Sequence, residues 1–120
     1  SGGQKRLGQI FKLIPGRGRG PDMVELFFES EREDQFNFGD NLTVAPNGHL
    51  IVCEDQYTDV VDNHLRGITP DGRAYAFGRL TMPTELAGGC FSPDGKWFFV
   101  NAYSPARTVA ITGPWNRFMG

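Results

Sequence analysis

Two short runs, Leu50-Ile51-Val52-Cys53 and Trp97-Phe98-Phe99-Val100, are apolar without a break, and each follows a tight-turn sequence, Pro46-Asn47-Gly48 or Pro93-Asp94-Gly95. Proline fixes φ at the front of such a turn, and Asn or Asp followed by Gly tolerates the positive φ that closes it. A strand that is apolar at every position is expected to be covered on both faces. The stretches Asn41–Asp55 and Gly88–Ala102 align turn on turn, so the chain contains a repeat.

A second pair of matching elements surrounds the first. Leu7–Gly16 and Leu65–Gly72 each read as a strand running into a turn, and Met23–Ser30 and Arg73–Leu80 follow them with better polar alternation. Alternation suits a strand half open to solvent. Arg107–Trp115 begins the same element once more. The unit is four strands over roughly 45 residues, the spacing of a β-propeller blade. The expected fold is all-β, a partial β-propeller of about two four-stranded antiparallel blades spanning residues 8–115, with flexible ends at 1–7 and 116–120. No stretch carries a helical period. Propellers close with about four to eight blades, and an open stack leaves apolar blade faces in water. The expected partners are therefore the remaining blades of a parent protein or other protein chains; a small independent sandwich is the structural alternative.

Composition supports this picture and removes some functions. Sixteen glycines, eight prolines and ten phenylalanines in 120 residues suit many turns between short aromatic strands. A formal net charge of -2 gives no electrostatic footing for a nucleic-acid partner. No apolar run approaches the ~20 residues of a membrane span, and no signal peptide is visible at the start. Cys53 and Cys90 stand among apolar neighbours and read as buried free thiols; a single disulfide is the alternative for an exported chain, and no zinc pattern is present.

Acids stand at the strand ends. Asp40 and Glu85 lie just ahead of the strands expected to line a central channel, and Glu54-Asp55 ends the next strand, where the later repeat has Asn101. Oxygen-rich cavities of this kind suit hard cations such as calcium, and Gly88-Gly89 would let backbone approach a metal or substrate closely. The competing readings are a turn-holding Asp40, a solvated Glu85 and a polar strand end at Glu54. The Pro15–Gly20 stretch lacks a P-loop ending and reads as a hairpin loop. Glu31–Gln35 reads as a charged surface loop, and Asn41-Leu42-Thr43 is a short glycosylation sequon. His49 and His64 have no nucleophile beside them in the sequence. Arg66 and Arg107 suit phosphate geometry but read first as surface residues.

The segments Gly39–Asp55, Leu65–Arg79 and above all Glu85–Trp115 resemble the C-terminal portion of PhoX-type alkaline phosphatases, and the resemblance runs from about Gly8 to Trp115. It implies a large β-propeller, exported to the periplasm or outside the cell, that hydrolyses phosphomonoesters with calcium and iron held by channel acids. On matching positions it implies metal-ligand roles for Asp40 and Glu85, with Glu54 a weaker candidate. It assigns no catalytic residue and no phosphate-binding residue here, and gives neither cysteine a metal role. Two or three acids cannot build a multinuclear cluster, so an isolated chain is expected to be inactive. A non-catalytic propeller piece serving as a binding or assembly subunit is the rival reading. A calcium-dependent sugar-lactone hydrolase, with similar repeats but fewer matching motifs, is the third.

Overall fold

The structure is a computed structural model and describes residues 2–56 and 62–118. Of the ends expected to be flexible, Ser1 and residues 119–120 lie outside the described residues. Nine strands form three antiparallel sheets, followed by a single four-residue helical turn, α1 (Trp115–Phe118). The first sheet is the hairpin β1 (Gln9–Ile14) and β2 (Met23–Glu29). The second has order β3-β4-β5-β6: β3 (Gly39–Val44), β4 (Leu50–Glu54), β5 (His64–Ile68) and β6 (Ala74–Arg79). The third is β7 (Leu86–Phe91), β8 (Trp97–Ala102) and β9 (Arg107–Thr112). Among the described residues the fold is all-β with no closed barrel.

The repeated turns recur as geometry. Gly48 N donates to Ala45 O and Gly95 N to Ser92 O, both at 2.8 Å, with φ of +85° and +69° at the two glycines. A side chain at either φ meets its own carbonyl, which is why glycine closes both turns. Gly72 N donates to Thr69 O in the same way and turns β5 into β6. Each turn sets its hairpin register, Val44 opposite Leu50 and Phe91 opposite Phe98.

The unbroken apolar run of β4 divides between two cores. Ile51 and Cys53 point into one, with Leu65, Leu86, Phe98, Val100 and Ala102. Val52 points into the other, with Ile10, Phe28, Phe36 and Ile68. The middle sheet is thus sandwiched, as its sequence predicts, and burying each large side chain contributes roughly 1.5–3 kcal/mol. Aromatic rings knit the second boundary: Phe98 meets Phe77 edge-on at 5.8 Å and Phe91 at 4.9 Å. Trp115 stacks on Phe77 at 5.8 Å and donates its indole N–H to Lys96 O at 2.8 Å. That clasp across the outer strands accounts for the helical turn after β9.

Two expectations need correction. Trp97-Phe98-Phe99-Val100 is not covered on both faces: Phe98 and Val100 are buried, but Trp97 is 43% exposed because no further sheet lies against it. Cys90 is exposed while Cys53 is buried, since β7 has its neighbour on one face only; both thiols are free.

Candidate functional site

The segments joining β2 to β3, β4 to β5, β6 to β7 and β8 to β9 all leave the sheets at one end of the stack. Backbone bonds tie them together: Asp55 N donates to Phe38 O at 2.8 Å and Tyr103 N to Glu85 O at 3.1 Å. Asn63, 1% exposed, accepts from Gln56 N at 2.8 Å and donates to Thr84 O at 3.0 Å, while Ser104 N donates to Thr84 Oγ1 at 2.9 Å. A buried side-chain amide with both ends satisfied fixes two loops relative to one another.

This clamp presents Asp55 and Glu85 to each other across a cleft of about 620 Å³, lined also by Gln56, Thr84, Tyr103 and Ser104. The approach of the Asp55 carboxyl, followed by desolvation and the negative charges of Asp55 and Asp40, raises the Glu85 pKa above its ordinary value. Neighbouring negative charge disfavours the ionised form of Glu85, and a cation beside the pair would relieve it. Asp40 stands exposed at the start of β3, where Asn41 Nδ2 donates to Asp40 Oδ2 at 2.5 Å. The Asn41 Oδ1 in turn accepts from Gly88 N at 3.4 Å, linking the strand-end acids across the two sheets.

Of the acids singled out from sequence, the structure brings together Asp40 and Glu85 and adds Asp55, which Glu85 meets directly. It places Glu54 elsewhere. Glu54 is fully buried on the hairpin side of the middle sheet, with Oε1 accepting from Asn37 N at 2.9 Å and from Arg66 Nε at 2.8 Å. Its Oε2 accepts from His64 N at 2.9 Å. All of these donors hold the carboxylate in place. Arg66, read from sequence as a surface residue, is 6% exposed and serves Glu54 instead; Arg107 is exposed on β9. His49 is engaged with the Tyr75 hydroxyl at 2.9 Å.

The glycines after Glu85 have a packing reason. Gly88 has φ +64° at the register shift between Ala87 and Cys90, and a Cβ on Gly89 would stand 2.7 Å from Phe98 Cζ. The absent side chains let the Phe98 ring reach the core and let β7 kink, which carries Glu85 to the cleft.

Asp40, Asp55 and Glu85 are oxygen donors of the type a hard cation takes, though calcium takes 6–8 such ligands. Among the described residues no three His, Cys, Asp or Glu side chains are close enough to hold a metal ion together. The donor set fits part of a cation's shell and does not complete one. No helix among the described residues is long and apolar enough to cross a membrane.

The chain was compared with known proteins on this footing. No curated protein and no solved structure matches it significantly. The family described as alkaline phosphatase PhoX matches residues 3–106. That match takes in the first two sheets, β7 and β8 of the third and every acid described above, and the chain belongs to the PhoX alkaline phosphatase family.

Proposed function

We propose that the chain is the C-terminal part of a calcium- and iron-dependent phosphomonoesterase and that its three sheets are consecutive blades of a β-propeller. The observation that carries this reading is the shared cleft of Glu85 and Asp55 at the end of the stack where the inter-sheet loops gather, with Asp40 at the neighbouring strand start. Asp40 and Glu85 would hold metal, and the rest of the shell would come from other blades. Bound there, such ions neutralise phosphate oxygens and lower the pKa of a coordinated water. The residues of this chain contribute position: Asn63 and Thr84 fix the loops that carry the carboxylates, and Asn41 orients Asp40. Glu54, the weaker candidate from sequence, serves here through its buried pairing with Arg66, which pins β5 and the Asn37 linker behind the cleft.

In this reading the substrate is a phosphomonoester, the compartment periplasmic or extracellular, and the isolated chain inactive. Metal analysis of the purified protein tests it. Calcium and iron at reproducible ratios, both reduced by Asp40→Ala and by Glu85→Ala, are the expected result; unchanged metal content in both variants would refute the assignment. The second reading, a non-catalytic binding or assembly subunit, is favoured by the bare apolar residues of the outer sheets, among them Leu13, Val24 and Trp97. It predicts complexes whose formation ignores chelators.

A further inference from the structure

A second cavity, of about 980 Å³, opens at the same end of the stack, between the segment leading into β1, the β2–β3 linker and the start of β5. It shares Gln56 with the acid cleft and is otherwise separate from it. Phe38 N donates to Leu7 O at 2.7 Å and fixes two of its walls to each other.

Two of the lining side chains are more than nine-tenths buried and incompletely paired. Arg66, 6% exposed, gives its Nε–H to Glu54 Oε1 at 2.8 Å, and its two terminal nitrogens have no acceptor among the described residues. Asn37, 5% exposed, keeps an Oδ1 that no donor among the described residues reaches. The two residues stand close together, because Asn37 N donates to the same Glu54 oxygen at 2.9 Å. Buried polar groups are nearly always paired, and leaving one unpaired is costly. Unmet donors beside an unmet acceptor suit a ligand that carries an acceptor and a donor side by side.

The charges around the cavity narrow the ligand further. Lys5, Arg6 and Arg66 line it together with Glu33, Asp34 and Asp62. Asp34 and Asp62 are held below the usual carboxylate range first by hydrogen bonds from Arg32 and Arg79, and both also feel the Arg66 charge. The guanidinium is thus within electrostatic reach of acids on both sides. A simple anion would meet three acids here, and a simple cation three bases. A zwitterion meets each sign with its opposite. Glu54 takes the Nε of Arg66, and the terminal nitrogens match a further carboxylate in the two-pronged geometry that guanidinium favours.

We propose that this cavity binds a free α-amino acid, its carboxylate on the terminal nitrogens of Arg66 and its ammonium donating to Asn37 Oδ1. Lys5 at the rim adds to the attraction for the carboxylate, and Asp62 to that for the ammonium. The volume leaves space for a side chain. The site is independent of what the strand-end acids bind.

The probes are L-alanine, L-serine and L-leucine, each titrated into the 120-residue chain with a chelator present and followed by calorimetry and residue-resolved amide NMR. At least one should bind saturably at about 1 mM or below. It should shift the amides of Asn37 and Arg66 and leave those of Thr84 and Tyr103 in place. For that amino acid, the N-acetyl form lacks the ammonium and the amide form lacks the carboxylate; each should bind about tenfold more weakly. Asn37→Leu removes the unmet acceptor, keeps the backbone bond to Glu54, and should weaken binding about tenfold while the urea midpoint holds or rises. Lys5→Glu, at an exposed position, should weaken binding several-fold and reads the site even where Asn37→Leu fails to fold. No saturable binding of any of the three would overturn the proposal. So would an N-acetyl form that binds as tightly as its parent, or inorganic phosphate binding more tightly than all three, which would make the cavity an oxyanion site. Metal content and phosphatase activity are measured on separate samples, so failure of either leaves this result readable.

Discussion

Glu54 is a fully buried carboxylate, and replacing it by alanine should damage the fold more than any surface acid could. The substitution removes the partner of Arg66 and the acceptor for two backbone donors, Asn37 N and His64 N. Breaking a buried ion pair from one side costs about 3–5 kcal/mol, and each orphaned buried donor costs about 1–3 kcal/mol. The terms overlap, since solvent entering the space relieves all three groups together, and a loss of about 4 kcal/mol is expected. A domain holds only about 5–15 kcal/mol in total. With a urea slope of about 2 kcal/mol/M, the midpoint should fall by roughly 2 M. The assay is urea unfolding by far-ultraviolet circular dichroism in the presence of a chelator. Glu54→Gln keeps one acceptor oxygen and should fall between the two. A shift under about 0.5 M for Glu54→Ala, or a difference from the parent that appears only with calcium, would refute the structural role given to this residue.

Other outcomes follow from the same contacts. Phe98→Ala empties the aromatic cluster with Phe77 and Phe91 and should cost about 3–5 kcal/mol by the same urea assay. Gly89→Ala puts a methyl against the Phe98 ring and should lower the urea midpoint measurably; an unchanged midpoint would contradict the close packing of that ring. Burial pushes the Cys53 thiol up to about 11, so a thiol reagent at pH 8 should label Cys90 quickly and Cys53 only on unfolding; two fast thiols per native chain would contradict the packing. Glu85 has its pKa raised in the folded state, so the proton it shares stabilises the fold fully below its ordinary pKa of 4.5, and that contribution is lost as pH rises through the folded value. Glu85→Gln should therefore remove this pH dependence from the unfolding midpoint; an unchanged profile would show that the pair does not form.

The strands and turns were legible because local chemistry sets them. Pro-Asn-Gly and Pro-Asp-Gly turns and unbroken apolar runs reveal β4 and β8 without knowledge of what packs on them. Coverage was not legible in the same way: Trp97 is as apolar as its counterpart Leu50, and the neighbouring sheets separate the exposed residue from the half-buried one. Asp40 and Glu85 were visible as strand-end acids. That Glu85 meets Asp55, thirty residues away, depends on how two loops are clamped by Asn63, and nothing in the local sequence encodes that meeting. The partner of Glu54 left a fainter trace. In the β4–β5 pairing, Arg66 stands opposite Val52, on the same face as Glu54, so an acid ending a buried strand and a basic residue within the next one signalled a buried pair.

The account turns on whether the acids at the strand ends exchange their shared proton for a cation. Carbon NMR of the Glu85 carboxyl, titrated against pH with and without millimolar calcium, measures this directly. Without calcium the group should titrate above its ordinary value, and with calcium its midpoint should move down. A Glu85 titration that calcium leaves unmoved would contradict the metal-binding role of these carboxylates.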